Sequence, residues 1–244
     1  MAATGGPLVI HGANAVLEAL RSGTPVERVL LGRGGRADAI AAAGRARGIA
    51  VVGADGDALT RTAGTPQHQG AVAVLPPFRY AELDRLLDPA CPSALLLDGV
   101  QDPRNLGAIL RTARAAGVGG VVLPQDRSAQ VTPVVVAASA GLLFGLPIAR
   151  VPNLVRAMEA LKAAGYWLVG LAADGETDVF AFDAPSRPAL VVGGEGEGLR
   201  ALVRRHCDFT VAIPMAPGVE SLNASVAAAI ALYRVLRPPP RGPA

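Results

Sequence analysis

The sequence predicts an α/β protein in which a small domain precedes a larger one built on a parallel sheet. Short runs rich in β-branched residues alternate with alanine-rich runs of helical character along nearly the whole chain. The runs "ALLL" at 94–97 and "ALVV" at 189–192 are apolar at consecutive positions. Such runs are typical of parallel strands that are covered on both faces. A proline-rich stretch interrupts the alternation and divides the chain.

That stretch, "LPPFRYAELDRLLDPACP", carries four prolines and suggests one short helix. Proline fixes φ and lacks a backbone donor, so the stretch suits a connection between domains. We therefore predict a first domain over residues 1–75, a linker over 76–93, a second domain over 94–237 and a proline-rich tail over 238–244.

The composition provides ample apolar material for a buried core, since 51% of the 244 residues are hydrophobic. The net charge is only +3, but Lys162 is the only lysine among 23 basic residues, so the other 22 are arginine. Arginine binds phosphate bidentately and stacks on bases, which suits a nucleic-acid partner. Codon bias in a GC-rich genome explains the same composition, so the arginines alone do not decide the partner.

Several classes of protein are disfavoured. Two cysteines, Cys91 and Cys207, are too few for a disulfide framework or a zinc cluster, and the three histidines lie far apart in sequence, so no metal site is expected. The amino-terminal residues lack the pattern of a signal peptide, and no run of about 18 apolar residues occurs. We expect a cytoplasmic protein with no membrane segment.

The segment "DPRNLGAILRTARAAG", residues 102–117, predicts a helix with two different faces. With Asn105 as its N-cap, one stripe is apolar and comprises Leu106, Ile109, Leu110 and Ala113. Arg104, Arg111 and Arg114 share another side, with Gly107 and Ala108 between them. Such a face, beside a helix start with unpaired N–H groups, would let a phosphate backbone approach. An ordinary solvated helix face is the alternative.

The segment "VVGGEGEGL", residues 191–199, is a strand that runs into four glycines, so its backbone turns sharply or approaches something closely. A phosphate-binding P-loop needs the sequence G-K-[ST], which is absent here. A dinucleotide-binding loop opens its fold, whereas only 46 residues (244 − 198) follow Gly198. Glu195 and Glu197 within the loop are candidates for function or plain turn residues.

The segment "IPMAPGVESLNASVAAAI", residues 213–230, leads from a strand that ends at Ile213 into a helix. Ser221, Asn223 and Ser225 at its start are residue types that cap helices. Val226, Ile230 and Tyr233 recur at helical spacing, which indicates a core face or a subunit contact. No nucleophile elbow or Cys–His pair is present, and no single segment identifies a reaction.

Taken together, "DGVQDPRNLGAILRTARAAGVGGVVLP" and the two later segments resemble the three ordered motifs of the SpoU (TrmH-type) RNA 2′-O-methyltransferases, over residues 95–236. "IHGANAVLEAL" and "HQGAVA" resemble the ribosomal-protein-like RNA-binding domain of the RlmB-type branch. The resemblance implies a catalytic domain with a trefoil knot, a homodimer with sites near the subunit interface, and S-adenosylmethionine as methyl donor. The implied substrate is a guanosine ribose of 23S rRNA.

The motifs also imply site residues. The candidate catalytic residues are Asn105, Arg111, Glu195, Ser221 and Asn223. The candidate donor contacts are Gly193, Ile213 and Leu222, and Arg104 and Arg114 are weaker candidates for RNA contacts. Pro217 departs from the family pattern, which commonly has glycine there, and this departure lies in the donor loop.

Arg111 is expected to clamp the phosphate and stabilise a developing alkoxide, because a guanidinium is a poor proton acceptor. Glu195 would then orient Arg111 or Asn105, while Ser221 and Asn223 bond the ribose or shape the donor loop. Two alternatives stay open: a tRNA ribose 2′-O-methyltransferase, and a non-catalytic RNA-binding or ribosome-assembly protein of the same fold.

Overall fold

A computed structural model describes residues 6–34, 36–196 and 198–236. The chain forms two compact units. The first comprises the residues up to Arg79 together with Gln130–Gly145, and the second comprises Tyr80–Ala129 together with the residues from Leu146 onward. The predicted second domain, 94–237, includes residues 130–145, which the structure groups with the first unit instead. The predicted tail, 238–244, lies outside the described residues.

The first unit contains a four-stranded mixed sheet in the order β1-β4-β2-β3. Strand β4 is buried at all five positions and pairs antiparallel with β1 and β2, while β2 and β3 are parallel. The strands are β1 (Leu8–His11), β2 (Arg28–Leu31), β3 (Ala50–Gly53) and β4 (Ala71–Leu75).

The helices of this unit pack their apolar stripes on that sheet. Helix α1 buries Val16, Leu17 and Leu20, which recur at helical spacing, and α3 begins at an N-cap, Asp55, that accepts from the Ala58 N–H at 2.7 Å. The helices are α1 (Ala13–Arg21), α2 (Ala37–Ala46), α3 (Gly56–Ala63), α6 (Pro133–Ala138) and a 3-10 helix (Leu142–Gly145).

The second unit contains a seven-stranded parallel sheet in the order β7-β6-β5-β10-β8-β11-β9, which confirms the predicted parallel-sheet α/β fold. Strands β5, β6 and β10 are buried at every position, as their unbroken apolar runs predict. The strands are β5 (Ala94–Asp98), β6 (Gly120–Pro124), β7 (Ile148–Val151), β8 (Trp167–Leu171), β9 (Thr177–Asp178), β10 (Pro188–Gly193) and β11 (Phe209–Ala212).

Alternate strand residues belong to different packing layers. Leu96, Val122 and Val191 share one core cluster with Leu154 and Met158 of α7. Helix α9 packs on β10 and against α5. The short helix α4 lies in the proline-rich stretch, as predicted. The helices are α4 (Asp84–Leu87), α5 (Pro103–Ala115), α7 (Leu154–Ala163), α8 (Ala201–His206) and α9 (Ala224–Val235). Among the described residues, no helix is long and apolar enough to cross a membrane.

The strand order places a switch point between β5 and β10. From β5 the chain moves outward through β6 and β7, and it later returns to place β10 on the other side of β5. At this point the backbone of Gly194 contacts that of Gly99 so closely that a Cβ atom on Gly194 would overlap the Gly99 carbonyl oxygen. A Cβ atom on Gly193 would likewise overlap the backbone of Gly198. Gly193 and Gly194 therefore serve a close approach of backbones, whereas Gly196 and Gly198 have open space around them and adopt positive φ of 90° and 66°.

We expect Gly194→Ala to lower the free energy of unfolding by about 3 kcal/mol, because the added methyl group has no room beside Gly99. Urea unfolding followed by circular dichroism, which reports on both units, measures the loss, and the fluorescence of Trp167, the only tryptophan, reports separately on the unit that holds Gly194. Gly56→Ala is the control, since it is a helical position with nothing within 4 Å of the new methyl group. Equal stability of the two variants would refute the close approach.

Candidate active site

The carboxyl ends of β5, β10, β8 and β11 meet at one edge of the parallel sheet, which is where open α/β sheets bind ligands. A cavity of about 560 Å³ opens there. The ends of β8 and β10 line one side, and the segment between β11 and α9 lines the other. All three candidate donor contacts, Gly193, Ile213 and Leu222, line this cavity, as do Glu195, Ser221 and Asn223.

Helix α5 begins earlier than the sequence analysis placed it. Asp102 is the N-cap and accepts from the Arg104 N–H at 2.8 Å, with Pro103 as the first helical residue. The expectation that Asn105 is the N-cap was therefore wrong. Asn105 lies in the first turn with 9% of its surface exposed, which leaves its amide free to bond other parts of the chain. The predicted apolar stripe of α5 is fully buried.

A row of hydrogen bonds connects the three motifs. The Asn105 Nδ2 donates to Glu195 Oε1 at 2.5 Å, and the Asn223 Nδ2 donates to Asn105 Oδ1 at 3.1 Å. Asn223 is also the N-cap of α9, because its Oδ1 accepts from Ser225 N at 2.9 Å and from Ser225 Oγ at 2.6 Å. Every amide in the row donates toward Glu195, so the row fixes the position of that carboxylate at the cavity wall.

The glycine-rich loop that follows β10 is hydrogen-bonded to the end of β5 both where the loop begins, at Gly194, and where it ends, at Arg200. The Gly194 N–H donates to the Asp98 carbonyl oxygen at 2.8 Å. The Asp98 carboxylate, with no exposed side-chain surface, accepts from Arg200 N at 2.9 Å and from Arg200 Nε at 2.6 Å. A buried carboxylate is stable only when it is paired and hydrogen-bonded, so Asp98 and Arg200 hold the loop rigidly around Glu195.

A second ion pair lies at the cavity. Arg204 Nη1 contacts both oxygens of Asp174 at 2.8 Å, and these hydrogen bonds lower the pKa of the Asp174 carboxyl. Nearby, burial raises the pKa of the Cys207 thiol to about 12, so this thiol stays protonated near neutral pH. Cys207 is thus a packing residue and not a nucleophile.

The three arginines of α5 lie apart from the cavity of their own chain. Arg104, Arg111 and Arg114 are exposed, and within the described part of the chain none forms an ion pair or a side-chain hydrogen bond. Arg111 does not line the cavity. The expected open patch between the arginines is also incomplete, because Gly107 is buried while Ala108 is only partly exposed.

Sequence reasoning missed Asp98, Arg200, Asp174 and Arg204. The sequence did offer a sign that Asp98 matters, because an acidic residue at the end of the buried run "ALLLD" needs a hydrogen-bonding partner. Its partner Arg200 is 102 residues away in the chain. Asp174 and Arg204 reach the cavity only because β8 neighbours β10, and a strand order of this kind is not readable from local pattern.

Comparison with known proteins identifies this arrangement. Residues 92–233, more than half of the chain, match the model of the SpoU rRNA Methylase family. The chain belongs to the SpoU rRNA methylase family. Residues 9–81 match the family described as RNA 2′-O ribose methyltransferase substrate binding. The predicted family and the predicted RNA methyltransferase activity are both confirmed.

Relatives of the SpoU family cover nearly the whole chain. A putative TrmH family tRNA/rRNA methyltransferase of Staphylococcus saprophyticus is 39% identical, over 94% of this chain and 95% of its own. The SpoU methyltransferase AviRb of Streptomyces viridochromogenes, solved with AdoMet, has a TM-score of 0.80 at 33% identity, covering 95% and 90% of the two chains. An AdoMet-bound rRNA methyltransferase of Sinorhizobium meliloti has a TM-score of 0.80 at 28% identity, covering 95% and 87%.

A structure described as concerning 2-OH methylation of C/U34 on tRNA covers less of this SpoU chain. It is 26% identical with a TM-score of 0.53, and it matches 59% of this chain although 94% of its own. The tRNA-associated structure therefore has no counterpart for about two fifths of the chain.

The cavity of this SpoU protein suits the methyl donor of the family. Its walls are largely backbone and aliphatic side chains, including Leu171, Val192 and Met215, which suits a flat adenine ring. Side chains on Gly193 or Gly194 would clash with backbone, so the loop can only present main-chain groups here. Glu195 and Glu220 place carboxylates at the cavity that favour a cationic sulfonium ligand, whereas the charge of Asp174 is paired with Arg204.

We expect Asn105→Asp to weaken the site by removing the donor to Glu195 and placing two carboxylates 2.5 Å apart. The free energy of unfolding should fall by about 2 kcal/mol at pH 8. It should recover partly toward pH 5, because protonation removes the repulsion and restores a donor. Urea unfolding at both pH values measures this effect.

Asn153→Asp is the matched control, since Asn153 caps α7 by accepting from the Arg156 N–H at 3.1 Å and aspartate caps equally well. If Asn105→Asp lowers the free energy of unfolding at pH 8 by no more than Asn153→Asp does, the hydrogen-bonded row is contradicted.

Proposed function

We propose that this chain transfers a methyl group from S-adenosylmethionine to the ribose 2′-oxygen of a guanosine in 23S rRNA. The observation that carries the proposal is the row from Asn223 through Asn105 to Glu195, which joins all three motifs at the wall of one cavity. A non-catalytic RNA-binding protein needs no such arrangement of polar groups around a nucleoside-sized cavity.

Gly193, Ile213 and Leu222 are the residues proposed to hold the donor, through backbone groups and an apolar contact. S-adenosylmethionine supplies a methyl group activated on a sulfonium centre. Asn105 fixes the carboxylate of Glu195, and Asn223 fixes Asn105 while it caps α9. These residues reach the cavity already oriented, which lowers the entropic cost of alignment.

Arg111 is proposed to bind the phosphate of the target nucleotide and to stabilise the oxygen as its proton leaves. Its guanidinium is exposed and has no partner within the described residues, so it is available to RNA. A planar guanidinium binds phosphate bidentately, and because arginine is not deprotonated in proteins it is unsuitable as a base. The proton then passes to water or to a phosphate oxygen, with Arg104 and Arg114 as further phosphate contacts.

A homodimer with shared sites is proposed, because Arg111 lies outside the cavity of its own chain. Val226 and Tyr233, seven residues apart on α9, are 48% and 50% exposed, and Leu222 at the cavity is 38% exposed. An apolar face of this kind at the edge of a site fits a subunit contact. In such a dimer Arg111 of one chain serves the cavity of the other, and the knot implied by the family motifs would hold the loops of each cavity.

Among the solved structures, coverage supports ribosomal RNA over tRNA, while the S. saprophyticus relative, which covers 94% of this chain, is named for both RNAs. The rRNA methyltransferase of S. meliloti matches 95% of this chain, whereas the tRNA-associated structure lacks a counterpart for much of it. Guanosine as the target nucleoside rests on the resemblance to the RlmB-type branch.

Arg111→Lys is expected to lower kcat about 100-fold while the affinity for S-adenosylmethionine is unchanged, because lysine keeps the charge but loses the planar fork. Transfer of a labelled methyl group into ribosomal RNA measures kcat, and calorimetry measures donor binding. Arg156→Lys, at an exposed arginine of α7 that does not line the cavity, is the control and should change kcat by less than about twofold. Near-normal kcat for Arg111→Lys would remove Arg111 from the mechanism.

Mixed dimers test which chain supplies Arg111. Arg111→Lys and Asn223→Ala chains are each expected to be nearly inactive alone, and their mixture should regain activity. One site of the mixed dimer then combines an intact cavity with an intact arginine from the other chain. A mixture no more active than its components would show that Arg111 acts within its own chain or not at all.

The substrate is tested by mapping ribose methylation in total RNA from cells with and without this gene. We expect a single guanosine of 23S rRNA to lose its 2′-O-methyl group and to regain it when the wild-type protein is restored. The Arg111→Lys variant is the matched negative control. Loss of a tRNA methyl group instead would favour the alternative substrate, and an unchanged map would contradict methyltransferase activity on either RNA.

A further inference from the structure

A second cavity, of about 670 Å³, lies in the first unit and is far richer in uncharged polar groups than in charges. It is formed by the junction of β1 with α1 and by the loop before β4. Asn14, Gln67 and Gln69 contribute three primary amides, and His11 contributes an imidazole ring. Its volume is within the usual range of small-ligand sites, about 300–1,000 Å³.

These four side chains have unused hydrogen-bonding capacity. Within the described residues, none of them forms a side-chain hydrogen bond or an ion pair, and the three amide residues are exposed. A primary amide offers a donor beside an acceptor, which is the pattern that Asn and Gln use to bind the edge of a nucleobase. The imidazole of His11 adds a flat surface against which a base can stack, and the ring of Pro66 adds an apolar contact.

The backbone around the cavity is held in place before any ligand binds. The Gly12 N–H donates to the carbonyl oxygens of His68 at 3.2 Å and Ala71 at 3.0 Å, and the Gly70 N–H donates to His68 Nδ1 at 3.1 Å. Three non-glycine residues of the described chain have positive φ, and two of them, Gln69 and Ala140, line this cavity with φ of 52°. A rigid loop of this kind reduces the ordering cost of binding.

A cation lies next to the same loop. The Gly32 N–H donates to the Gly70 carbonyl oxygen at 2.9 Å, which places the following residue, Arg33, beside the loop. Arg33 is exposed and its guanidinium forms no ion pair among the described residues. The backbone of Arg33 therefore lies beside a loop that lines the neutral cavity, and an exposed guanidinium on this segment would provide the phosphate contact that accompanies base contacts in nucleic-acid sites.

We infer that this cavity binds one unpaired nucleobase of the RNA substrate, with Asn14, Gln67 and Gln69 bonding the base edge. The inference rests on the proposed function for the identity of the ligand as RNA. A base within a duplex cannot enter a cavity, so the site selects loops, bulges or single strands. It therefore recognises the substrate at a place distinct from the nucleotide that is methylated.

The test uses the full chain and two fluorescent probes, a single-stranded RNA of about 12 mixed nucleotides and the same sequence as a blunt duplex. The double variant Asn14→Ala with Gln67→Ala is expected to bind the single strand about tenfold more weakly and the duplex unchanged. Gln130→Ala, an exposed amide of the same unit outside the cavity, is the control and should bind both probes as the wild type does.

Unchanged single-strand affinity of the double variant, at unchanged circular dichroism, would overturn the inference. An equal loss for both probes would also overturn it, because that result indicates a general RNA surface. Photo-crosslinking of the wild type to a 4-thiouridine probe gives an independent measurement. It should label residues between His11 and Ala15 or between Pro66 and Gln69, and labelling confined to other segments would contradict the assignment.

The outcomes separate this inference from the proposed function. Binding of S-adenosylmethionine and methyl transfer are measured on the same samples, and the double variant should keep the wild-type donor affinity. If the wild type transfers no methyl group yet binds single strands through this cavity, the proposed reaction fails and the binding site stands. If transfer occurs and the double variant binds and reacts as the wild type does, the site fails alone.

Discussion

The site depends on one buried charge, the carboxylate of Asp98 at the end of β5. It accepts from both the backbone and the side chain of Arg200, while the carbonyl of the same residue accepts from Gly194. Without these bonds a carboxylate with no exposed surface would be strongly unfavourable in its ionised form. The chain therefore satisfies Asp98 only by bringing residues 194–200 back to β5, and this return forms the cavity beside β10. The need to pair the buried carboxylate of Asp98 thus also determines the shape of the cavity.

Glycine makes the return of the chain to β5 sterically possible. The row of amide hydrogen bonds then fixes the position of Glu195. The backbones at Gly193 and Gly194 approach other segments too closely for any side chain, so the loop can present only main-chain groups and the side chains that follow. The first of these is Glu195, whose carboxylate is fixed by Asn105. Asn105 can serve because Asp102 caps α5 in its place and leaves its amide unused by the helix. The positions of Glu195 and Asn105 therefore depend on backbone features, namely the close approach at the glycines and the cap of α5, and not on side-chain packing alone.

The local sequence pattern predicted the strands and helices of the fold well. Their arrangement in space could be predicted only from the resemblance to the family motifs. The consecutive apolar residues of β5 and β10 predict buried strands because their burial on both faces is a local property. The insertion of β10 between β5 and β8 is not local, so the cavity walls at Asp174 and Arg204 escaped prediction. The error at Asn105 has a simple physical reason: asparagine and aspartate both cap helices, and proline at position 103 favours the earlier start. The motifs brought together Asn105, Glu195 and Asn223, which no spacing rule would have joined.

The distribution of charge assigns different tasks to different surfaces. The arginines of α5 carry unpaired charge on an exposed face, which attracts any RNA backbone regardless of its sequence. Phosphate contacts of that kind position a substrate but cannot select one nucleotide among thousands. Selection requires neutral groups that read base edges, and in the first unit such groups surround a preformed cavity. An enzyme whose donor site is built mainly from backbone has few side chains there with which to discriminate bases. Under the proposed function, recognition away from the reacting ribose would allow this chain to restrict methylation to one nucleotide.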